Sequence, residues 1–384
     1  MEIDNTTPVG TNCITRWSVE FLGEQKSRNS EHSQRDLGFT GKLGKHWYAV
    51  YGDTLWNKPF YMIRNSISRC TSDPLAVEDL HLRPDMPRQN QFIPWEPAWG
   101  EKQNWFIGVS SLLEIDSQEP VGAIFYLVTT GIMTADSRSL GTGIAMVKLV
   151  DGVPTVVKRF GDKGYWWPAD TNPKWGDIAA FRDPNSEYVY AWGGAATSLA
   201  QDNSKKDLVF LTRVKARDGF DTSKYEYWWG REKGWSSQPL NQFNHQTAVW
   251  KATGQGQVVW NQYLGVYIFV HLTSWGIGHG IIHLRTAKQP EGPWTSDVRV
   301  FKDDAIDGGF VYAGVAHPYL DESGRTLTVS WTNNNRIRVA RIDFTTGQNV
   351  LVTHQNEAGP TPATSATHHT HHLRDKAEDK CVVS

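Results

Sequence analysis

The chain of 384 residues carries 39 basic and 41 acidic side chains, for a formal net charge of -2. It therefore lacks the concentrated basic excess that a nucleic-acid partner requires. Hydrophobic residues at 39% against 21% charged describe a folded chain and exclude a wholly disordered one.

Taken in chain order, the segments with strand character begin at residues 14–22 (ITRWSVEFL) and 43–54 (LGKHWYAVYGDT). They continue at 122–130, 143–150, 188–193 and 208–214. The second half adds 257–260, 266–272, 281–286, 309–314, 326–332 and 337–342. Turn formers separate nearly all of them, with 34 Gly and 18 Pro in the chain, and no long helical period intervenes. An all-β fold is expected.

The strands arrive in packets that end on an Arg beside a small residue: LTRV at 211–214, LRTA at 284–287 and VARI at 339–342. Five packets between Asp36 and Asp343 allow about 62 residues each, which suits four-stranded blades with long connections. The pattern predicts a five-bladed β-propeller over residues 1–354, with segment 14–22 returning to complete the last blade. A β-sandwich, the alternative, would have denser turn signals and shorter loops. The 18 Trp, 13 Tyr and 15 Phe are read mainly as blade packing, with a few left to line a ligand cleft.

From residue 355 large apolar side chains nearly vanish, so 355–384 is expected to be a disordered tail. Its histidines (His368, His369, His371 and His372) are read as a solvated tract. The tail ends Cys381-Val-Val-Ser384, the form of a prenylation box. Nearby Arg374, Lys376 and Lys380 are cancelled by Asp375, Glu378 and Asp379, so a lipid on Cys381 would give weak membrane association. The N-terminal segment MEIDNTTPVGTNCITRW lacks a leader pattern and no apolar run is long enough to span a bilayer; a cytoplasmic, monomeric protein is expected. The three cysteines, Cys13, Cys70 and Cys381, form neither a disulfide framework nor a zinc-ligand spacing. His279 and His283, about 13 Å apart along a strand, cannot chelate one ion unaided. No metal and no cofactor are expected.

The candidate chemistry lies near the start, in Arg35-Asp36-Leu37-Gly38-Phe39-Thr40-Gly41 and Tyr51-Gly52-Asp53-Thr54-Leu55-Trp56. Two carboxylates flank one strand, with glycines beside both. Converging on one pocket, Asp36 and Asp53 would separate in pKa and supply an acid and a base; apart, each would cap a turn. Arg35, Trp56, Trp95, Trp99, Asn261, Tyr312 and His317 are candidate substrate-binding residues. Trp95 and Trp99 flank Glu96 in the Pro-stiffened loop FIPWEPAWG, either as rim wall or as packing. Asn261 is a funnel residue or a turn former, and His317 a funnel ligand or a core histidine.

The block R-D-L-G-F-T-G…Y-G-D-T-L-W resembles the opening of a five-bladed propeller family, formerly a domain of unknown function, that includes bacterial endo-D-arabinanases. Segments 258–294 and 316–331 resemble its later blades. The resemblance implies that Asp36 and Asp53 form an acid/base pair. A more distant resemblance, resting on architecture, compartment and length, is to the fungal propeller protein of trichothecene clusters. Three functions are therefore carried forward. The first is a cytosolic acid/base enzyme acting on a small oxygen-rich metabolite, such as an epoxide-opening cyclisation or isomerisation in terpenoid biosynthesis. The second is a glycoside hydrolase of arabinanase type using the same aspartates, and the third a non-catalytic carbohydrate-binding propeller.

Overall fold

The computed structural model describes residues 4–131, 137–272, 276–347 and 349–355. The tail histidines and Cys381 lie outside the described residues. Strands dominate, and the helical segments among the described residues are single 3-10 turns. None is long and apolar enough to cross a membrane.

Five mainly antiparallel sheets form, each a blade whose innermost strand touches the innermost strand of the next. The inner strands are Gln34–Leu43, Leu113–Asp116, Lys174–Arg182, Gly256–Asn261 and Phe310–His317, and contacts between successive ones close a ring. The structure is thus the five-bladed propeller that strand count and spacing predicted. Each blade has a four-stranded body, extended by short pieces such as Phe60–Ile63 and Trp250–Lys251.

The ring closes as expected. Ser18–Glu24 pairs antiparallel with Arg336–Asp343, the third strand of the last blade. The first strand in the sequence thereby supplies the last blade's outer strand, so opening the ring would expose two sheet edges.

The recurring third-strand arginine has a common partner. Arg69 pairs with Glu78, Arg213 with Glu226, Arg285 with Asp297 and Arg341 with Glu20. In each case the acid lies on, or directly before, the fourth strand of the same blade. These pairs lie across a half-exposed sheet face, where cross-strand opposite charges favour the register.

Apolar packing lies between blades. Four large clusters fill the interfaces from the first blade to the second, second to third, third to fourth and fourth to fifth. The tryptophans contribute heavily: Trp192 stacks on Trp250 at 5.3 Å, and Trp250 on Phe269 at 4.0 Å. The fifth interface, where the ring closes, has a smaller cluster of Ala49, Tyr51 and Ile337 with Cys70 against it, and Trp47 stacked on Tyr319. Polar contacts supplement it: Arg35 N–H donates to the Asn335 carbonyl at 2.7 Å and Leu37 N–H to the Thr332 hydroxyl at 2.8 Å.

Candidate active site

Asp36 and Asp53 are brought together by an irregular ladder. Along the first hairpin Arg35 faces Thr54 and Leu37 faces Tyr51, so Asp36 alone opposes Gly52 and Asp53. A second irregularity follows at Gly38. Leu37 takes a left-handed φ of 64° and Gly38 a φ of 90°. A left-handed leucine is an uncommon, strained conformation; here the hydrogen bond to Thr332 helps to hold it. The bulge re-aims Asp36 out of the regular alternation. Gly52 makes the approach feasible, because a Cβ at that position would sit 2.4 Å from Asp36 Oδ1.

Asp36 is buried. The Tyr312 hydroxyl, from the fifth blade, donates to its Oδ2 at 2.6 Å. Oδ1 has no side-chain donor. Tyr312 is itself turned inward by an irregularity between Tyr312 and Val315, where Ala313 adopts a φ of 58°. Burial, then the nearby Asp53 charge, pushes the Asp36 carboxyl up to about 7, against the lowering effect of Tyr312.

Asp53 keeps 22% of its side chain exposed and pairs with the buried Arg64, whose Nη1 lies 3.3 and 3.2 Å from its two oxygens. Arg64 comes from the loop after the short strand Phe60–Ile63 and lies over the Phe106 ring at 4.4 Å. Burial raises Asp53 to about 6 and Arg64 opposes that rise. The guanidinium acts on Asp53 and not on Asp36, which favours ionisation of Asp53 before Asp36.

The other sequence candidates lie elsewhere. The Arg35 guanidinium is held by Asp79 at 3.0 Å and by Ser68, over the Tyr51 ring, which turns it into the first blade and away from the aspartates. Trp56 is buried, with its indole N–H on the Glu31 carbonyl and its ring near Tyr61 and Arg88. Trp95 donates to the Trp105 carbonyl and packs on the core between the first two blades. Trp99 stacks on Arg159, which is bound to Glu101 at 2.6 Å. Glu96 caps the 3-10 turn Pro97–Trp99.

Asn261 and His317 lie at the far ends of their inner strands, opposite to the end that carries Asp36 and Tyr312. The Asn261 amide closes a hairpin, accepting from Leu264 N–H at 2.8 Å and donating to the Gly324 carbonyl at 2.9 Å. His317 bonds Ser330 Oγ at 2.8 Å, and burial pushes it down to about 4, as for a core histidine.

Arg64 was not foreseen. Its surroundings, MIRNS, carry no motif, and only the fold of the short hairpin directs it to Asp53. Another carboxylate, the partly buried Asp177, lies early in the third blade's inner strand, accepting from Gly194 N–H at 2.8 Å with Lys174 at 3.6 Å; burial raises its pKa. Among the described residues no group of three or more His, Cys, Asp or Glu is placed to hold a metal ion.

The architecture is that of a five-bladed β-propeller, with a carboxylate pair at one end of the ring of inner strands. Residues 155–343 match the family model described as "Domain of unknown function (DUF4185)", a match that begins after the Asp36/Asp53 block. The GH43_1 enzyme from Xanthomonas citri, solved with xylose, is similar to this chain with a TM-score of 0.51 at 14% identity, over 89% of this chain and 97% of that one. An exo-β-1,3-galactanase from Clostridium thermocellum gives 0.48 at 13% identity, over 84% and 61%. An endo-1,5-α-L-arabinanase from Thermotoga petrophila gives 0.43 at 11%, over 84% and 71%. At these identities the likeness is one of fold. No curated protein sequence matches the chain.

Proposed function

We propose that this protein is a glycoside hydrolase in which Asp36 is the general acid and Asp53 the general base or nucleophile. The observation that carries the reading is the pair itself. Two carboxylates from one bulged hairpin are raised to about 7 and about 6, with a cation on only one of them. At near-neutral pH Asp36 holds a proton to give and Asp53 is ready to accept one, the division that glycoside cleavage needs.

In this mechanism Asp36 protonates the glycosidic oxygen as the C–O bond breaks. Asp53 takes a proton from the attacking water, or attacks the anomeric carbon itself. Tyr312 holds Asp36 through Oδ2, and Arg64 keeps Asp53 ionised. The propeller, residues 1–354, is the catalytic unit, and it acts as a monomer on a small or terminal carbohydrate. The fold neighbour solved with xylose supports a sugar as ligand. The epoxide-opening reading would use the same two carboxylates, but the fold neighbour solved with xylose favours the glycosidase reading over it.

Aryl furanosides and xylosides provide the test. Wild type should release aglycone, and Asp36→Asn or Asp53→Asn should each lower kcat/KM by about 10²–10⁴-fold. Sugar binding without any turnover would instead identify a lectin-like propeller. Both variants retaining full activity would remove the pair from the mechanism.

A further inference from the structure

A second cavity, of about 470 Å³, opens at the end of the funnel opposite to the aspartates. All five blades line it, beginning in the first blade at Thr40, four residues beyond Asp36, or about 13 Å along an extended strand. It is blind. Gln257, from the fourth blade, reaches across to Thr40 in the first: its amide donates to the Thr40 carbonyl and hydroxyl at 2.9 Å, and its oxygen accepts the Thr40 N–H at 3.1 Å. Thr40 Oγ1 donates in turn to Ala316 in the fifth blade at 2.6 Å. These bonds form the cavity floor and separate it from the carboxylate end.

The wall chemistry is divided. On the wall, the polar side chains Thr40, Gln257 and Asn261 are spent on one another or on backbone, Ser111 adds one hydroxyl, and Leu112, Val259, Leu327 and Phe181 are apolar. At the mouth stand Trp47 stacked on Tyr319 at 5.4 Å, and Trp260. Four carboxylates line the wall (Glu114, Asp183, Asp321 and Glu322) against two cations, Lys42 and Arg182. Arg182 is occupied by the Asp183, Ser186 and Tyr188 carbonyls.

We infer that this cavity is a second small-molecule site, for a compact apolar ring compound bearing hydroxyl donors at one end. The volume suits a drug-sized ligand. An apolar body would replace water against the apolar wall, and a hydroxyl at the mouth would donate to Glu322 or Glu114 Oε2, because Asp183 and Asp321 already accept from Asn185, Ser186, Tyr267, Ser323 and Thr326. An anion is opposed by the acidic excess. A free sugar would press hydroxyls on every face against the apolar side chains, at a desolvation cost, and the Gln257–Thr40 bonds stand in the path of a polysaccharide. The site is independent of the hydrolase reading.

Ligand-observed NMR with 1-adamantanol, 1-adamantanecarboxylate and xylose tests it. 1-Adamantanol should bind saturably to wild type and to Asp36→Asn alike. Ser117→Trp, an exposed position at the mouth, and Trp260→Ala should each weaken it about tenfold or more, as should replacing the alcohol by the carboxylate or by xylose. Near-ultraviolet circular dichroism checks that the variants are folded, and Ser117→Trp alters no buried residue. Absence of saturable binding, equal binding of xylose, loss of binding in Asp36→Asn, or full binding by folded Ser117→Trp would each overturn the assignment.

Discussion

The hydroxyl of Tyr312 donates to Asp36 Oδ2 at 2.6 Å across 276 positions of sequence, joining the fifth blade's inner strand to the first's. That bond is one of the few influences lowering the pKa of a carboxyl that burial raises. Tyr312→Phe should therefore raise the Asp36 pKa further and move the alkaline limb of the pH–rate profile to higher pH. An unshifted limb with reduced kcat would mean that Tyr312 serves only packing.

Arg64 acts on the other limb. It lowers an Asp53 pKa that burial has raised to about 6. Arg64→Met should raise it further, so the acidic limb moves toward neutrality and activity near pH 5–6 falls more than activity at pH 7. In the wild type the two limbs should lie close together, near the pair's values of about 6 and about 7, giving a narrow bell. A broad plateau from pH 4 to 9 would contradict the pairing.

Stability carries the same signature with a definite sign. A carboxyl whose folded pKa exceeds its unfolded value binds more protons when folded, so stability falls as pH rises between the two values. For Asp36 that window runs from 3.8 to about 7. Asp36→Asn, which keeps an acceptor for Tyr312, should raise the melting temperature by a few degrees at pH 8, corresponding to about 1–3 kcal/mol. The gain should shrink toward pH 4. A variant less stable at every pH would refute the raised pKa.

Gly52→Ala tests the close approach. The added methyl would meet Asp36 Oδ1 at 2.4 Å and must displace the carboxyl. Turnover should fall by about two orders of magnitude or more, while thermal denaturation remains cooperative. Normal kcat in the alanine variant would show that Oδ1 does not need that position.

Arg35 separates a structural role from a binding one. It forms a buried pair with Asp79, both side chains nearly inaccessible. Arg35→Ala should destabilise the first blade by about 3–5 kcal/mol by leaving Asp79 uncompensated. Unchanged stability with a raised KM would return Arg35 to the substrate site.

How far the sequence reaches is visible in individual residues. Alternation and turn chemistry located the strands, and the repeated third-strand arginine marked the blades because its acidic partner lies on the adjoining strand. Segment 14–22 was recognisable as a closing strand because it stands ahead of the first packet with no partner of its own. The Asp36/Asp53 block was legible because two acids lie within one hairpin with Gly38, Gly41 and Gly52 close to them in sequence. Period-two patterning assigns a side chain to a face of the sheet; it does not say which end of the funnel the residue reaches or what comes to meet it. Asn261 and His317 were funnel candidates that the strand direction carries to the opposite end. Arg64 and Tyr312 meet the aspartates only because a short hairpin and the ring closure bring separate segments together. Blade number and the acidic pair were thus local properties of this chain. The division of those acids into proton donor and acceptor belongs to the tertiary structure, since burial and a neighbouring charge determine a pKa and both arise only on folding.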